Sequence, residues 1–379
     1  MGFHNSPSHH QYYKSEDSLR KPITVALEEG PLEIALEENF NEEPFPEITY
    51  SIMPVLEQIE SHPPEKYSEK HLAEIRELLA RQAEKIRVVT YNILFDLFDH
   101  KLKDPIYSWA SRLPKVVQSV ENMQPDILCL QETYLNQIED LQKFLGDRYN
   151  YFVGAGATGE VNAVFYNKER FEIDLENYGD ELTNATLAMP LNPKDEKQLA
   201  KIPNLLPPET EPGRQLTLVH FLDRMTGKKF AVVNTHLTYF RLNAREDQAH
   251  FIAEIVQKLH ALNTPVIFTG DLNTFSNVSE REFSFLDGTR VCQIFERVLK
   301  DTRNVALLGR LGPAATGLRA FTDRDGQGPF GMDENPDVIL DHIFVSPEVS
   351  VIINATETAL VEGHFPSDHL PVIADIVLP

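Results

Sequence analysis

The feature that most constrains the fold is a series of short apolar runs that begins at Ile86 and continues to Pro379. IRVVTYNILFD, DILCLQET, YNYFVG, NAVFYNK, QLTLVHFLD, KFAVVNTHL, VIFTGDLN, DHIFVSP and PVIADIVL read as strands. Helical patterns separate some of them: one at 113–123, a short one around 137–145, and one at 245–260 with Phe251, Ile255, Val256 and Leu259 facing inward. Others join more tightly, and Met225-Thr226-Gly227 between two runs reads as a hairpin turn. Strands connected both by hairpins and by helices predict an α/β four-layer sandwich, in which two packed, mostly antiparallel β-sheets are flanked by helices. One large domain over 86–379 accounts for the pattern. Two long loops interrupt it, 177–214 and 301–336, and loops of that length in a compact domain are the expected place for substrate selection.

The chain ahead of this domain has a different texture. Residues 22–65 comprise 44 positions with 11 Glu and neither Lys nor Arg, and Pro31, Pro44, Pro46, Pro54, Pro63 and Pro64 exclude any long regular element. Its apolar residues, Ile34, Leu36, Phe40, Phe45, Ile48, Ile52, Val55, Leu56 and Ile59, leave two readings open. Residues 1–66 form either a solvated, partly disordered extension or an arm wrapped on the domain or on a protein partner. A packing helix is expected over 67–85, with Leu72, Ile75 and Leu79 on one stripe and Arg81 and Lys85 near its end.

Charge and composition exclude several functions. The formal net charge of −23 argues against affinity for nucleic acid through a broad basic surface, so strong nonspecific DNA binding is not expected. Two cysteines, Cys129 and Cys292, cannot make a disulfide scaffold. No apolar run approaches the roughly 20 residues needed to cross a bilayer. The first residues lack the apolar core of a secretory signal, which points to a cytoplasmic location with export by another route left open.

The informative chemistry sits where the apolar runs stop. Asn92 follows RVVTY, Glu132 follows DILCLQ, His236 follows AVVNT, and Asp271 and Asn273 follow VIFTG. Asp341 follows DVIL, and Asp368-His369 follow FPS. Any one of these is an ordinary strand-end residue. Together they put amides, carboxylates and imidazoles at strand ends throughout one domain, where sheet proteins place their sites.

In order along the chain, TYNILFD, DILCLQETY, NAVFYNKERF, VVNTHL, TGDLNTF, LDHIFVS and FPSDHLPVIADIVL resemble the motif set of the endonuclease/exonuclease/phosphatase (DNase I-like) superfamily. The resemblance covers 294 of 379 residues, from Ile86 to Pro379. YSWASRLPKVVQSVENMQPDILCLQE and AREDQAHFIAEIV are similar to its bacterial hydrolases and deadenylase-like relatives. It implies a Mg²⁺-dependent (or Mn²⁺-dependent) hydrolase of phosphate esters. The hard oxygen ligands suit those ions.

The metal ligands expected are Glu132 first, Asn92 beside it, and Asp368 either completing the shell or serving a second ion. His369 is the candidate base, because imidazole titrates near neutrality, and the resemblance makes Asp341 its partner. Asp271 either orients and deprotonates the water or contacts the metal and leaving group; both remain open. Asn273 and His236 are expected to donate to phosphoryl oxygens. Asn162 is either a phosphate contact or a strand-edge amide. Arg214, Arg241, Arg245, Arg319 and Arg324 are either cations for further phosphates or ordinary surface residues. Two departures stand out: DHIF carries His342 where a tyrosine is usual, expected to be structural, and GDLN replaces GDFN without losing a polar group.

The choice of ester is narrowed only by exclusion. The Trp-Cys-Asp-Arg segment of inositol polyphosphate 5-phosphatases is absent, and no membrane hairpin suits a sphingomyelinase. A phosphodiesterase or nuclease acting on a short nucleic acid or nucleotide is expected, with a phosphomonoesterase or a catalytically silent binding module of the same fold as alternatives.

Overall fold

A computed structural model describes residues 23–27, 30–34, 76–78, 80–96, 99, 105–154, 159–176, 178, 182–189, 214–238, 242–274, 289–307, 310–311, 316 and 339–379. Most of the acidic segment 22–65 and of both long loops lies outside these residues, as do Arg241, Arg319 and Arg324. Within the acidic segment, β1 (Ile23–Leu27) and β2 (Gly30–Ile34) pair antiparallel. In the segment expected to be a helix over 67–85, residues 76–78 and 80 are helical and Gln82–Glu84 form a 3-10 turn.

Two seven-stranded sheets make the domain. The first contains β3 (Ile86–Asn92), β4 (Ile127–Gln131), β5 (Tyr149–Phe152), β6 (Val164–Asn167), β13 (Arg310–Leu311), β15 (Ser350–Thr356) and β16 (Val372–Val377), in the order β13-β15-β16-β3-β4-β6-β5. The second contains β7 (Phe171–Ile173), β8 (Ala185–Ala188), β9 (Gln215–Asp223), β10 (Lys229–His236), β11 (Val266–Asp271), β12 (Lys300–Asp301) and β14 (Asp341–Val345). Its order is β12-β14-β11-β10-β9-β7, with β8 also on β9. The hairpin turn between β9 and β10 forms as expected, with Gly227 at a φ of 71° that suits glycine.

Strand alternation divides the apolar residues into three cores, and these define the four layers. Val88, Ile127, Cys129, Val232, Ile267 and Ile343 face the space between the sheets. Their neighbours Val89, Leu128 and Leu130 face outward, against Val116, Val120, Ile138 and Leu141 of the helices Trp109–Met123 and Leu135–Leu145. On the opposite outer face Ala231, Val233, Val266 and Phe268 pack on Ile252, Val256 and Leu259 of the helix Leu242–Ala261 and on Val291 and Phe295 of the helix Thr289–Glu296.

Several elements were not anticipated: β7, β8, β15, the two-residue strands, and the Thr289–Glu296 helix. Proline favours the first turn of a helix, so Pro114 makes 113 the natural start. The helix instead begins at Trp109, whose Nε1 donates to Asp140 Oδ2 at 3.1 Å.

Between the sheets, below the strand ends, lies a polar bridge. Gln131 Nε2 donates to Asn234 Oδ1 (2.7 Å) and to Thr90 Oγ1 (2.9 Å), and Thr269 Oγ1 donates to Asn234 Oδ1 (3.1 Å). Asn234 Nδ2 donates in turn to the carbonyls of Leu130 and Ala163. Asn234 is fully buried, so truncation strands several polar groups away from water. Asn234→Ala is expected to destabilise the domain by about 2–4 kcal/mol, read from urea unfolding.

Candidate active site

Topology alone gathers the strand-end residues. β3 and β4 are parallel, with Asn92 opposite Gln131, and β10 and β11 are parallel, with His236 opposite Asp271. Each parallel pair needs a crossover, supplied by the helices Trp109–Met123 and Leu242–Ala261, and so ends its strands at one edge. β14 runs antiparallel to β11 with Asp341 opposite Asp271. β16 runs antiparallel to β3, which brings the segment before it, containing Asp368 and His369, to the end of β3.

Alternation then aims the side chains. Val88, Thr90 and Asn92 share a face of β3; Val232, Asn234 and His236 share one of β10; Ile267, Thr269 and Asp271 share one of β11. In each strand the inward row passes from core, to polar bridge, to site. Glu132 follows the inward-facing Gln131 and would point away in a regular strand. Its φ of 51° re-aims it, and Asn273 has a comparable φ of 48°. Such left-handed conformations are costly for non-glycine residues and persist where the surroundings enforce them.

Asp271 is the hub. Its Oδ2 accepts from Asn92 Nδ2 at 2.9 Å and lies 3.5 Å from His236 Nε2 and 3.7 Å from His369 Nε2. Its Oδ1 accepts from the Asn273 N–H at 2.8 Å. Burial pushes the Asp271 carboxyl up, but the two histidines and these hydrogen bonds outweigh it and hold the pKa below the ordinary value.

A carboxylate backs each histidine. His369 Nδ1 lies 2.8 Å from Asp341 Oδ2. Burial opposes a charge on the ring, yet Asp341 and Asp271 raise its pKa well above the usual value. His236 Nδ1 lies 2.5 Å from Glu160 Oε1, and Arg214 Nη1 donates to both oxygens of Glu160 at 2.9 Å. Burial and Arg214 pull the His236 pKa down, but Glu160 and Asp271 outweigh them and it is raised. Burial also opposes ionisation of Glu160, yet Arg214 and His236 bring its carboxyl down to about 2.

Glu160 was not anticipated from sequence. It ends no apolar run, and the bridge between Thr133 and Val161 sets it beside the site. Glu160→Gln is expected to lower the His236 pKa, read by NMR titration of the ring, and to cost on the order of 10²-fold in kcat.

The remaining candidates divide. Asn273 Nδ2 lies 2.7 Å from His236 Nε2 and donates to Leu237 O at 2.9 Å. Asn162 is buried in the wall, donating to Gln215 O at 2.7 Å while its Oδ1 has no partner among the described residues. Arg214 is engaged by Glu160. Arg245 is fully buried and donates to Asn273 O at 2.7 Å, bracing that residue from behind. Asp368 is half-buried at the rim, where Ser367 Oγ approaches it at 3.4 Å. His342 lies on the other face of β14, with its Nδ1 2.7 Å from Arg303 Nη2 and 3.2 Å from Asp301 Oδ2.

The donor set fits a hard divalent cation. Among the described residues, Glu132, His236 and Asp271 converge closely enough to share an ion, as do Asp271, Asp341 and His369. Glu132 Oε1 meets Asn92 Nδ2 at 3.2 Å, whereas its buried Oε2 has no hydrogen-bond partner among the described residues. Burial leads in raising its pKa to about 7, the state of a carboxylate that lacks a counter-charge. Asn92 Oδ1 accepts from the Leu94 N–H at 3.1 Å and retains a second lone pair.

A two-sheet sandwich with these carboxylates and histidines at one edge is a divalent-metal-dependent phosphoesterase. The chain belongs to the endonuclease/exonuclease/phosphatase family, whose sequence model matches residues 89–369. It is 27% identical over 212 residues to Protein angel of Drosophila melanogaster, covering 52% of this chain and about half, 54%, of that relative. In fold it is similar to the endonuclease/exonuclease/phosphatase from Bacteroides vulgatus (TM-score 0.58, 24% identity, 78% of this chain and 99% of the other). It is also similar to the Bacteroides thetaiotaomicron mannosyl-6-phosphatase Bt3783 (TM-score 0.54, 23% identity, 77% and 100%). Among the described residues no helix is long and apolar enough to cross a membrane.

Proposed function

We propose that the protein hydrolyses a phosphodiester, in a short nucleic acid or a nucleotide, using Mg²⁺ or Mn²⁺. The observation that carries this reading is the arrangement of two histidine–carboxylate pairs, His369–Asp341 and His236–Glu160, either side of Asp271. Displacement at phosphorus needs a proton acceptor for the incoming water and a proton donor for the departing oxygen, and paired imidazoles supply both.

Neutral His369, its ring fixed through Nδ1 by Asp341, accepts a proton from water at Nε2. Ionised Asp271 accepts the other water hydrogen and orients the oxygen toward phosphorus. As the new P–O bond forms and the ester P–O bond breaks, protonated His236 gives the proton on Nε2 to the leaving oxygen. Asn273 Nδ2 keeps its bond to Leu237 O, and the hydrogen that faces His236 Nε2 turns to a phosphoryl oxygen while that ring is protonated. The products are a phosphomonoester and an alcohol. Glu132, Asn92 and Asp368 would hold the cation, which when bound offsets phosphoryl charge.

Charge supports a diester over a monoester. Five carboxylates (Glu132, Glu160, Asp271, Asp341, Asp368) face Arg214 and protonated His236, with His369 neutral, leaving about three negative charges, of which one divalent ion cancels two. A monoanionic diester adds less repulsion than a dianionic monoester. The test is mass-spectrometric product analysis on short RNA and DNA, poly(A), dinucleotides, and sugar and inositol phosphates, with each metal. Release of a nucleotide supports the reading. Release of inorganic phosphate alone moves the protein to the phosphomonoesterases, and no turnover of any substrate favours the silent module.

A further inference from the structure

Arg112 is a buried cation outside the site with several hydrogen bonds, and the reaction scheme gives it no part. It lies in the first turn of the helix Trp109–Met123 and is 1% exposed. Its guanidinium is committed to backbone carbonyls from three places. Nε donates to Tyr107 O (2.8 Å), Nη1 to Ile93 O (2.5 Å) and Pro366 O (3.3 Å), and Nη2 to Leu94 O (2.8 Å). Ile93 and Leu94 directly follow Asn92, and Pro366 precedes the segment with Asp368 and His369. A second tie runs the same way: Ser367 Oγ donates to Asn92 O at 2.7 Å and accepts from the His369 N–H at 3.3 Å.

Neither connection is intrinsic to the strands. Past Asn92 the chain leaves the sheet, with Leu94 at a φ of 59°, and residues 366–369 precede β16. The pairing of β3 with β16 reaches Thr90 and Val372 and stops short of both site segments. Besides the side-chain route through Asp271 and Asp341, what ties the backbone of one segment to the other is the Arg112 fork, with the Ser367 hydroxyl beside it.

We propose that Arg112 is a positioning residue that fixes the span between the Asn92–Glu132 end of the site and His369. This rests on the reading that both ends act on one phosphate. A planar fork satisfies carbonyls from separate segments in a single geometry, whereas a lysine of equal charge cannot. Misplacing one reacting group by about 1 Å can cost about 10²-fold, and such a loss falls on kcat when substrate is still bound.

The experiment measures kcat and KM separately for the wild type, Arg112→Met, Arg112→Lys, Arg112→Ala, Ser367→Ala, His369→Asn and an exposed control, Arg224→Met, each checked for an intact thermal transition. Arg112→Met is expected to lose about 10²-fold in kcat with KM changed by less than about threefold. Arg112→Lys should recover little, while ethylguanidinium should raise kcat of Arg112→Ala about tenfold and leave Arg224→Met unchanged. Wild-type kcat in folded Arg112→Met, or full recovery in Arg112→Lys, overturns the proposal. Should the Arg112 variants not fold, Ser367→Ala decides: a kcat loss of about tenfold at constant KM supports the latch, and no loss overturns it. Retained activity in His369→Asn would instead remove the site reading beneath it.

Discussion

Replacing Asp271 with asparagine is expected to lower kcat by about 10³-fold while leaving a folded protein. The side chain keeps its shape, and its Oδ1 can still accept from the Asn273 N–H. The new amide nitrogen, however, faces Asn92 Nδ2 where Oδ2 accepted at 2.9 Å, placing two donors in opposition. The charge that raises both histidine pKa values disappears as well. His369 therefore loses its proton at lower pH, and the rising limb of the pH–rate profile should move toward acid even as the plateau falls. Stability follows a separate rule. The folded carboxyl is held below its unfolded value of about 3.9, so its contribution is complete above that value and lost as pH falls through the folded one. The stability gap between wild type and Asp271→Asn should narrow in acid. Steady-state kinetics across pH and urea unfolding at two pH values test both parts, and near-wild-type turnover would exclude Asp271 from the chemistry.

Glu132→Gln should weaken Mg²⁺ or Mn²⁺ binding on the order of 10²-fold. The carboxyl in the metal-free protein has a pKa raised to about 7, chiefly by burial. A group whose folded pKa exceeds its unfolded value binds its proton more tightly when folded. Stability of the metal-free protein is therefore lost as pH rises from about 4.3, the unfolded value, toward 7. A cation needs the ionised form, so below pH 7 its affinity should climb about tenfold per pH unit and then level off. Titration calorimetry from pH 5.5 to 8.5 and metal-induced shifts in melting temperature measure this, with larger shifts expected on the alkaline side. The Gln variant should show weak binding and a flat pH response. Unaltered affinity would place the cation at the Asp271–Asp341–His369 group instead.

How much of the molecule its sequence discloses depends on what an element rests on. Central strands are legible because they are buried on both faces and read as unbroken apolar runs, and their polar ends then stand out. Asn92, Glu132, His236, Asp271 and Asp341 are legible as candidates for that reason. β15 and the Thr289–Glu296 helix escaped because SVIINAT and TRVCQIFE mix apolar and polar residues without a decisive period. Among side chains, Glu160 and Arg112 carry no signal in the sequence, and Arg245 reads as a phosphate-binding or surface cation although it is buried, for one shared reason. An ion on a loop or an amphipathic helix reads as a solvated residue until its partners, supplied by distant segments, are in place.

The pairing of β16 with β3 has a consequence for biosynthesis. β3 lies mid-sheet, between β4 and a strand made about 280 residues later, and so non-local a pairing closes slowly. During translation β3 waits with one ladder of backbone amides and carbonyls unmatched, as does β15 once it emerges. Such unsealed edges invite pairing with other chains. A nascent polypeptide stalled before Val372 would thus expose two strand edges flanking the place of β16, both open to pairing.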